Sequence, residues 1–200
     1  MTTFAELAAR ISATPPRLGA VRLVAIDGPS GAGKTRFAAR LATELDAPVV
    51  HTDDLLDGWD DQFTFWPRLE ELVLIPLAAG RAARYQRYLW QRQRFGGTPV
   101  IVEPAPCVLM EGVSSARREA RARVSFSVFV TAPAGLRWRR AIARDGNDDV
   151  AFRAYLERWR AAEDRHFADE RTEATADLVV DGAAEGHDDR YESLWRRSPE

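Results

Sequence analysis

Two hundred residues with 46% hydrophobic content suffice for one α/β domain with a buried core and leave little room for a second. A net charge of −2 argues against a nucleic-acid partner or an anionic membrane surface. The longest apolar stretch, residues 72–79, is broken by Pro76 and far too short to span a bilayer.

In chain order, residues 1–11 have the acidic and apolar pattern of a short surface helix, without the basic start and long apolar core of a leader. Residues 21–26 form a β-branched apolar run that reads as a buried parallel strand, and residues 36–45 are amphipathic at helical spacing. A second strand over 47–51 ends in Thr52-Asp53-Asp54. A helix is expected over 67–81, entered through a proline in its first turn. Residues 84–90, a turn at Gly96-Gly97 and residues 99–103 predict a β-hairpin arm spanning about 82–104. Residues 107–110 make the third central strand, leading into Glu111-Gly112, and 124–130 the fourth. A short arginine-rich helix over 133–143 and a break at 145–148 form a lid of about 137–149. A long helix over about 150–168 and a fifth strand over 178–180 complete the alternation. From 181 the periodicity fades, and 183–200 reads as a polar tail. This alternation predicts a single domain, 1–200: a parallel five-stranded sheet with helices on both faces and ligands at the carboxyl ends of its strands.

The first strand–helix junction reads Gly28-Pro29-Ser30-Gly31-Ala32-Gly33-Lys34-Thr35, a full phosphate-binding loop in the context such a loop requires. Lys34 is the only lysine; every other basic side chain apart from the histidines is arginine. A compact ammonium is therefore retained where a point charge can reach the β- and γ-phosphates. Glycines let backbone amides curl around the phosphates, and the helix N-terminus adds its partial positive charge. The expected ATP-binding set is Gly28, Ser30, Gly31, Ala32, Gly33, Lys34, Thr35 and Arg36, with the Thr35 hydroxyl on Mg²⁺.

Asp53 and Asp54 fall at the edge where this loop opens. A carboxylate there can accept the proton of an incoming hydroxyl or hold Mg²⁺. Glu111 is forced into the same crevice by the apolar strand before it, as a second acid toward Mg²⁺ or substrate. Arg140 and Arg144, four apart on one helical face with Arg137 and Arg139 nearby, are placed to neutralise charge on a transferring phosphoryl group. Arg117, Arg118, Arg121 and Arg123 are expected to be a solvated face. The segment from Arg84 to Trp90 interleaves cations with aromatics. As a regular strand it would put Tyr85, Arg87 and Leu89 on one face and Arg84, Gln86, Tyr88 and Trp90 on the other. His51, His166 and His187 are scattered, so no transition-metal site is expected. The lone Cys107 is expected to be a buried thiol in a reducing cytoplasm.

Taken together, Gly28 to Thr35, Thr52-Asp53-Asp54 with Gly58-Trp59-Asp60, Arg84 to Trp90, Met110-Glu111-Gly112, Arg139-Arg140 to Arg144-Asp145-Gly146, and Ala176 to Val180 resemble the uridine kinase-like branch of the P-loop nucleoside kinases. The resemblance covers about residues 20–182. It implies a P-loop NTPase three-layer sandwich with strand order 2-3-1-4-5, ATP and Mg²⁺ as cofactors, and Asp53 as catalytic base. The expected catalytic set is then Lys34, Asp53, Arg140 and Arg144, with Thr35, Asp53 and Glu111 toward the metal. Asp54, Trp59, Arg84, Tyr85, Arg87, Tyr88 and Glu111 would shape the pocket of a small-molecule acceptor, nucleoside-like. The family's acceptor segment usually carries an aspartate after the tyrosine, where this chain has Leu89 after Tyr88. If Leu89 faces the pocket, plain uridine and cytidine are not the expected acceptors. Another polyhydroxylated metabolite or antibiotic as acceptor, or a nucleotide-dependent switch ATPase, remain open alternatives, as does a homo-oligomer.

Overall fold

The computed structural model describes residues 2–145, 149–184 and 189–196. Strand β2 (Arg22–Asp27) lies at the centre because it is apolar on both faces, with parallel neighbours β6 (Cys107–Glu111) and β7 (Val124–Thr131). β3 (Val49–His51) pairs with β6, and β8 (Leu178–Asp181) with β7, both parallel. Counted along the chain, these five parallel strands stand in the order 2-3-1-4-5.

The sheet does not end there. β9 (Arg190–Arg196) pairs antiparallel with β8, and β1 (Thr2–Thr3) pairs antiparallel with β9, giving seven strands among the described residues where five were expected. The stretch read as a polar tail thus contains a strand, and only its remainder, 185–188 and 197–200, lies outside the described residues, as does His187. Charged residues at an exposed sheet edge hid it, because one buried ring, Tyr191, is enough to dock it. That ring packs against Phe4 and Phe37 at centroid distances of 5.3 and 5.6 Å.

Side-chain alternation splits the core into two layers. Val24, Ile26, Leu109, Phe126, Val128 and Val180 face the helices α1 (Phe4–Ser12) and α2 (Lys34–Leu45). Leu23, Ala25, Val108 and Met110 face the opposite way, onto Leu55, Phe65, Leu69, Val73 and Leu77. The helix expected over 67–81 is α3 (Trp66–Leu69), a π-turn (Glu70–Leu74) and α4 (Ile75–Ala78). Pro76 has no amide to give to the carbonyl one turn back, and the backbone widens just before it. α5 (Ala134–Asp145) and α6 (Val150–Glu170) follow β7.

Two surface expectations are also corrected. The arm is β4 (Ala83–Leu89) against β5 (Arg94–Val102), and the chain reverses at Trp90–Gln93 while Gly96-Gly97 lies inside β5. The register slips between Tyr85 and Arg87, so Tyr85 and Tyr88 are both buried, contrary to simple alternation. The arginines at 117–123 are not simply a solvated face. Arg117 is buried, stacks over Trp66 and donates to the Phe63 carbonyl, while Arg123 pairs with Glu70.

Candidate active site

The phosphate loop joins β2 to α2, and α2 begins at Gly33 (φ +106°) without any side-chain cap. Its first amides therefore have neither an intrahelical partner nor a cap and, with the helix dipole, face a cavity of about 360 Å³ lined by Gly31, Lys34, Thr35, Arg36, Asp53 and Glu111. Lys34 is buried, with Nζ donating to the Pro29 carbonyl across the loop at 3.2 Å. At Gly31 (φ +76°) a Cβ would sit 2.6 Å from the Arg137 carbonyl, so the loop requires glycine there to pass beneath α5.

Asp27, at the end of β2, was missed in the sequence. Fully buried, its carboxylate accepts hydrogen bonds from the amides of Gly28 (2.7 Å), Ser114 (2.9 Å) and Ala116 (2.8 Å). It thereby ties the phosphate loop to the turn after β6, where Ser114 is held at φ +69°. Burial lifts its pKa to about 6, against the opposing pull of those amides and Lys34. An apolar strand ending in Asp carries no signal of this; only the packing of two loops creates the role.

A single 3-10 turn, Thr52–Leu55, sends the acidic pair in different directions. Asp53 lines the phosphate cavity. Its carboxyl is open to the cleft, and the desolvation it meets among the loop's atoms raises its pKa, with Lys34 and Arg144 opposing the rise and Glu111 adding to it. Asp54 instead pairs with Arg87 Nε at 3.1 Å, fastening the arm to the end of β3. Glu111 Oε1 accepts from Thr35 Oγ1 at 3.1 Å and meets His51 Nδ1 at 2.6 Å. That hydrogen bond raises the His51 pKa. His51, set aside as scattered, is thus a partner of the second acid.

Beside the phosphate cavity lies a second one of about 330 Å³, lined by Trp59, Trp90, Leu156 and Trp159 together with Arg137 and Arg160. Ser30, Asp53, Ala141 and Arg144 line both. Trp59 packs against Trp90 (4.6 Å), Tyr155 (4.8 Å) and Trp159 (5.6 Å), joining the segment after β3, the arm and α6. Trp90, Trp159, Arg137 and Arg160 were not among the expected pocket residues, since no sequence spacing links them. Of the arm residues that were, Tyr88 supports Trp90 from behind (5.1 Å), and Arg87 is engaged by Asp54. Arg84 and Tyr85 line a separate groove with Arg68 and Phe95, so the structure does not bring them to the aromatic cavity. Leu89 packs back onto the arm, its Cδ1 beside Gly96.

Arg140 and Arg144 both reach the phosphate cavity, with different duties. Arg140 Nη1 donates to the carbonyls of Gly31 and Gly182, each at 3.1 Å, bracing the loop against the end of β8. Arg144 lies on the wall between the two cavities, close enough to Asp53 to hold down its pKa. Of the lid expected over about 137–149, residues 146–148 lie outside the described residues. From α6, Glu163 reaches back to Ser30, accepting from its amide and hydroxyl and from Trp159 Nε1.

The profile of the AAA domain family matches residues 23–169, from the strand entering the phosphate loop through most of α6. The chain belongs to the AAA domain family. No curated protein matches this AAA domain in sequence. Among solved structures it is similar to a possible uridine kinase from Bacillus stearothermophilus, with TM-score 0.65 and 21% identity over 88% of this chain and 96% of that one. It is likewise similar to a candidate fructose transport system kinase from Silicibacter sp. TM1040, with TM-score 0.63 and 21% identity over 90% and 99% of the two chains. At that identity the likeness shows the shared P-loop α/β fold. Among the described residues no helix is long and apolar enough to cross a membrane.

Proposed function

We propose that this AAA domain is an ATP-dependent small-molecule kinase, transferring the γ-phosphoryl group to a hydroxyl of a nucleoside or nucleoside-like acceptor. The observation that carries the reading is the common wall of the two cavities, where Asp53 and Arg144 stand between a phosphate cradle and an aromatic chamber. A switch ATPase has no use for the second chamber.

ATP fits the uncapped start of α2 and the Lys34 ammonium. Among the described residues no group of three or more His, Cys, Asp or Glu could hold a metal ion unaided. The hydroxyl and carboxylate oxygens of Thr35 and Glu111, with Asp53 nearby, are the hard donors Mg²⁺ prefers, to be completed by phosphate oxygens and water. Bound there, Mg²⁺ would supply charge neutralisation on the β- and γ-phosphates. Asp53 takes the proton from the acceptor hydroxyl as its oxygen forms a bond to the γ-phosphorus. The bond from that phosphorus to the bridging oxygen breaks, and ADP leaves. Lys34 and Arg144 stabilise the charge that spreads over the transferring oxygens.

A sugar or another polyhydroxylated metabolite is the second reading, favoured by likeness to a structure whose own name refers to fructose. Phosphorus-31 NMR of ATP incubated with nucleosides, sugars and aminoglycosides tests both. ADP formation must depend on an added acceptor, and Asp53→Asn must keep ATP affinity while lowering kcat by roughly 10²- to 10⁴-fold. Acceptor-independent hydrolysis at the full rate would overturn the kinase reading.

A further inference from the structure

The aromatic chamber carries more positive charge than a neutral nucleoside or sugar calls for. Among the described residues that line it, Arg137, Arg144 and Arg160 stand with one carboxylate, that of Asp53. Arg137 and Arg160 line this chamber and are not among the residues lining the phosphate cavity.

Both guanidinium groups are incompletely satisfied. Arg137 uses Nε on the Ala132 carbonyl at 3.0 Å, while its buried Nη1 has no hydrogen-bond partner. Arg160 has a buried Nε without one, its guanidinium lying over Trp138. Burial, and then the neighbouring Arg160, depress the Arg137 pKa below the usual guanidinium range. The acids that face this pair are Glu163 and Asp164. Glu163 already serves the Ser30 amide and hydroxyl and the Trp159 indole. Two neighbouring guanidinium groups thus each keep a buried donor unspent, which an incoming oxyanion would satisfy. Around them the chamber is apolar and ringed by Trp59, Trp90 and Trp159, suited to a flat ring.

Building on the kinase reading, we infer that the acceptor is itself an anion: a ring-bearing alcohol whose carboxylate or phosphate is held by Arg137 and Arg160, remote from the hydroxyl presented to Asp53. Guanidinium forks bind either oxyanion in a bidentate manner, so the two sources share one chemistry.

The test compares neutral and anionic partners of one shape. Uridine is set against orotidine, which adds a ring carboxylate, and against uridine 3′-monophosphate, which adds a phosphate; benzyl alcohol is set against 4-(hydroxymethyl)benzoate. Binding is read from quenching of tryptophan fluorescence and turnover from ADP release. At least one anion is expected to bind ten-fold or more tightly than its neutral partner, and which arm responds identifies carboxylate or phosphate. Arg160→Gln and Arg137→Gln should each erase that preference while leaving ATP affinity within about two-fold, a control that also reports folding. Anion preference in binding, erased by the substitutions but without any phosphorylation, would keep the anion site at Arg137 and Arg160 and overturn the kinase reading. Phosphorylation of neutral acceptors with no anion preference would do the reverse. Quenching by none of the anions, or a preference untouched by both substitutions, overturns the inference.

Discussion

The Glu163 carboxylate on α6 accepts the backbone amide of Ser30 in the phosphate loop, through oxygens at 3.1 and 3.2 Å. A buried anion therefore occupies a loop amide that an incoming phosphate would otherwise find open, while also anchoring the Trp159 indole at 2.8 Å.

Removing that charge without changing shape separates the two effects. Glu163→Gln should bind ATP several-fold more tightly, because a fixed negative charge beside the phosphates is gone. It should also lower the melting temperature, since a charge-assisted hydrogen-bond cluster between α6 and the loop weakens. Titration calorimetry and thermal unfolding measure both. Weaker ATP binding would instead mean that Glu163 holds Ser30 in the binding conformation.

Asp27 makes a pH prediction whose sign follows from its raised pKa. With a folded-state value of about 6 against 3.8 unfolded, its contribution to stability is fully present below pH 3.8 and is lost as pH rises through 6. The difference amounts to about 3 kcal/mol by pH 8. Asp27→Asn should remove this part of the slope of unfolding free energy against pH. It should also destabilise the protein by about 1–3 kcal/mol, because an amide cannot accept all three backbone donors. A carbon-13 titration of the Asp27 carboxyl with a midpoint near 4 would contradict the account.

Arg140 and Arg144 should separate kinetically. Arg140→Ala breaks the brace between Gly31 and Gly182 and is expected to raise the KM for ATP and reduce thermal stability together. Arg144→Ala leaves the brace intact and should lower kcat by about 10- to 100-fold with little change in ATP KM. Because Arg144 opposes the raised pKa of Asp53, its loss should also move the acidic limb of the pH–kcat/KM profile to higher pH. Identical behaviour of the two variants would mean both act only on loop structure.

Lys34→Ala tests the loop itself. A loss of roughly 10²-fold or more in turnover is expected when a buried, preorganised cation beside the γ-phosphate is removed. Near-normal turnover would refute its role.

Much of this molecule was written locally. The phosphate loop, the five strands alternating with helices and the crevice edge bearing Asp53 and Glu111 follow from short-range signals: glycine spacing, apolar runs and the acid that ends a strand. What the sequence could not express is which distant segments meet. Asp27 gained its role from two loops folded against it, and Trp59, Trp90 and Trp159 became one wall because an arm and α6 converge there. A register shift between β4 and β5 left Tyr85 and Tyr88 both buried, and Leu89 turned onto Gly96, outside the expected pocket. Such facts depend on long-range packing and hydrogen-bond satisfaction, which leave no period or spacing in the chain.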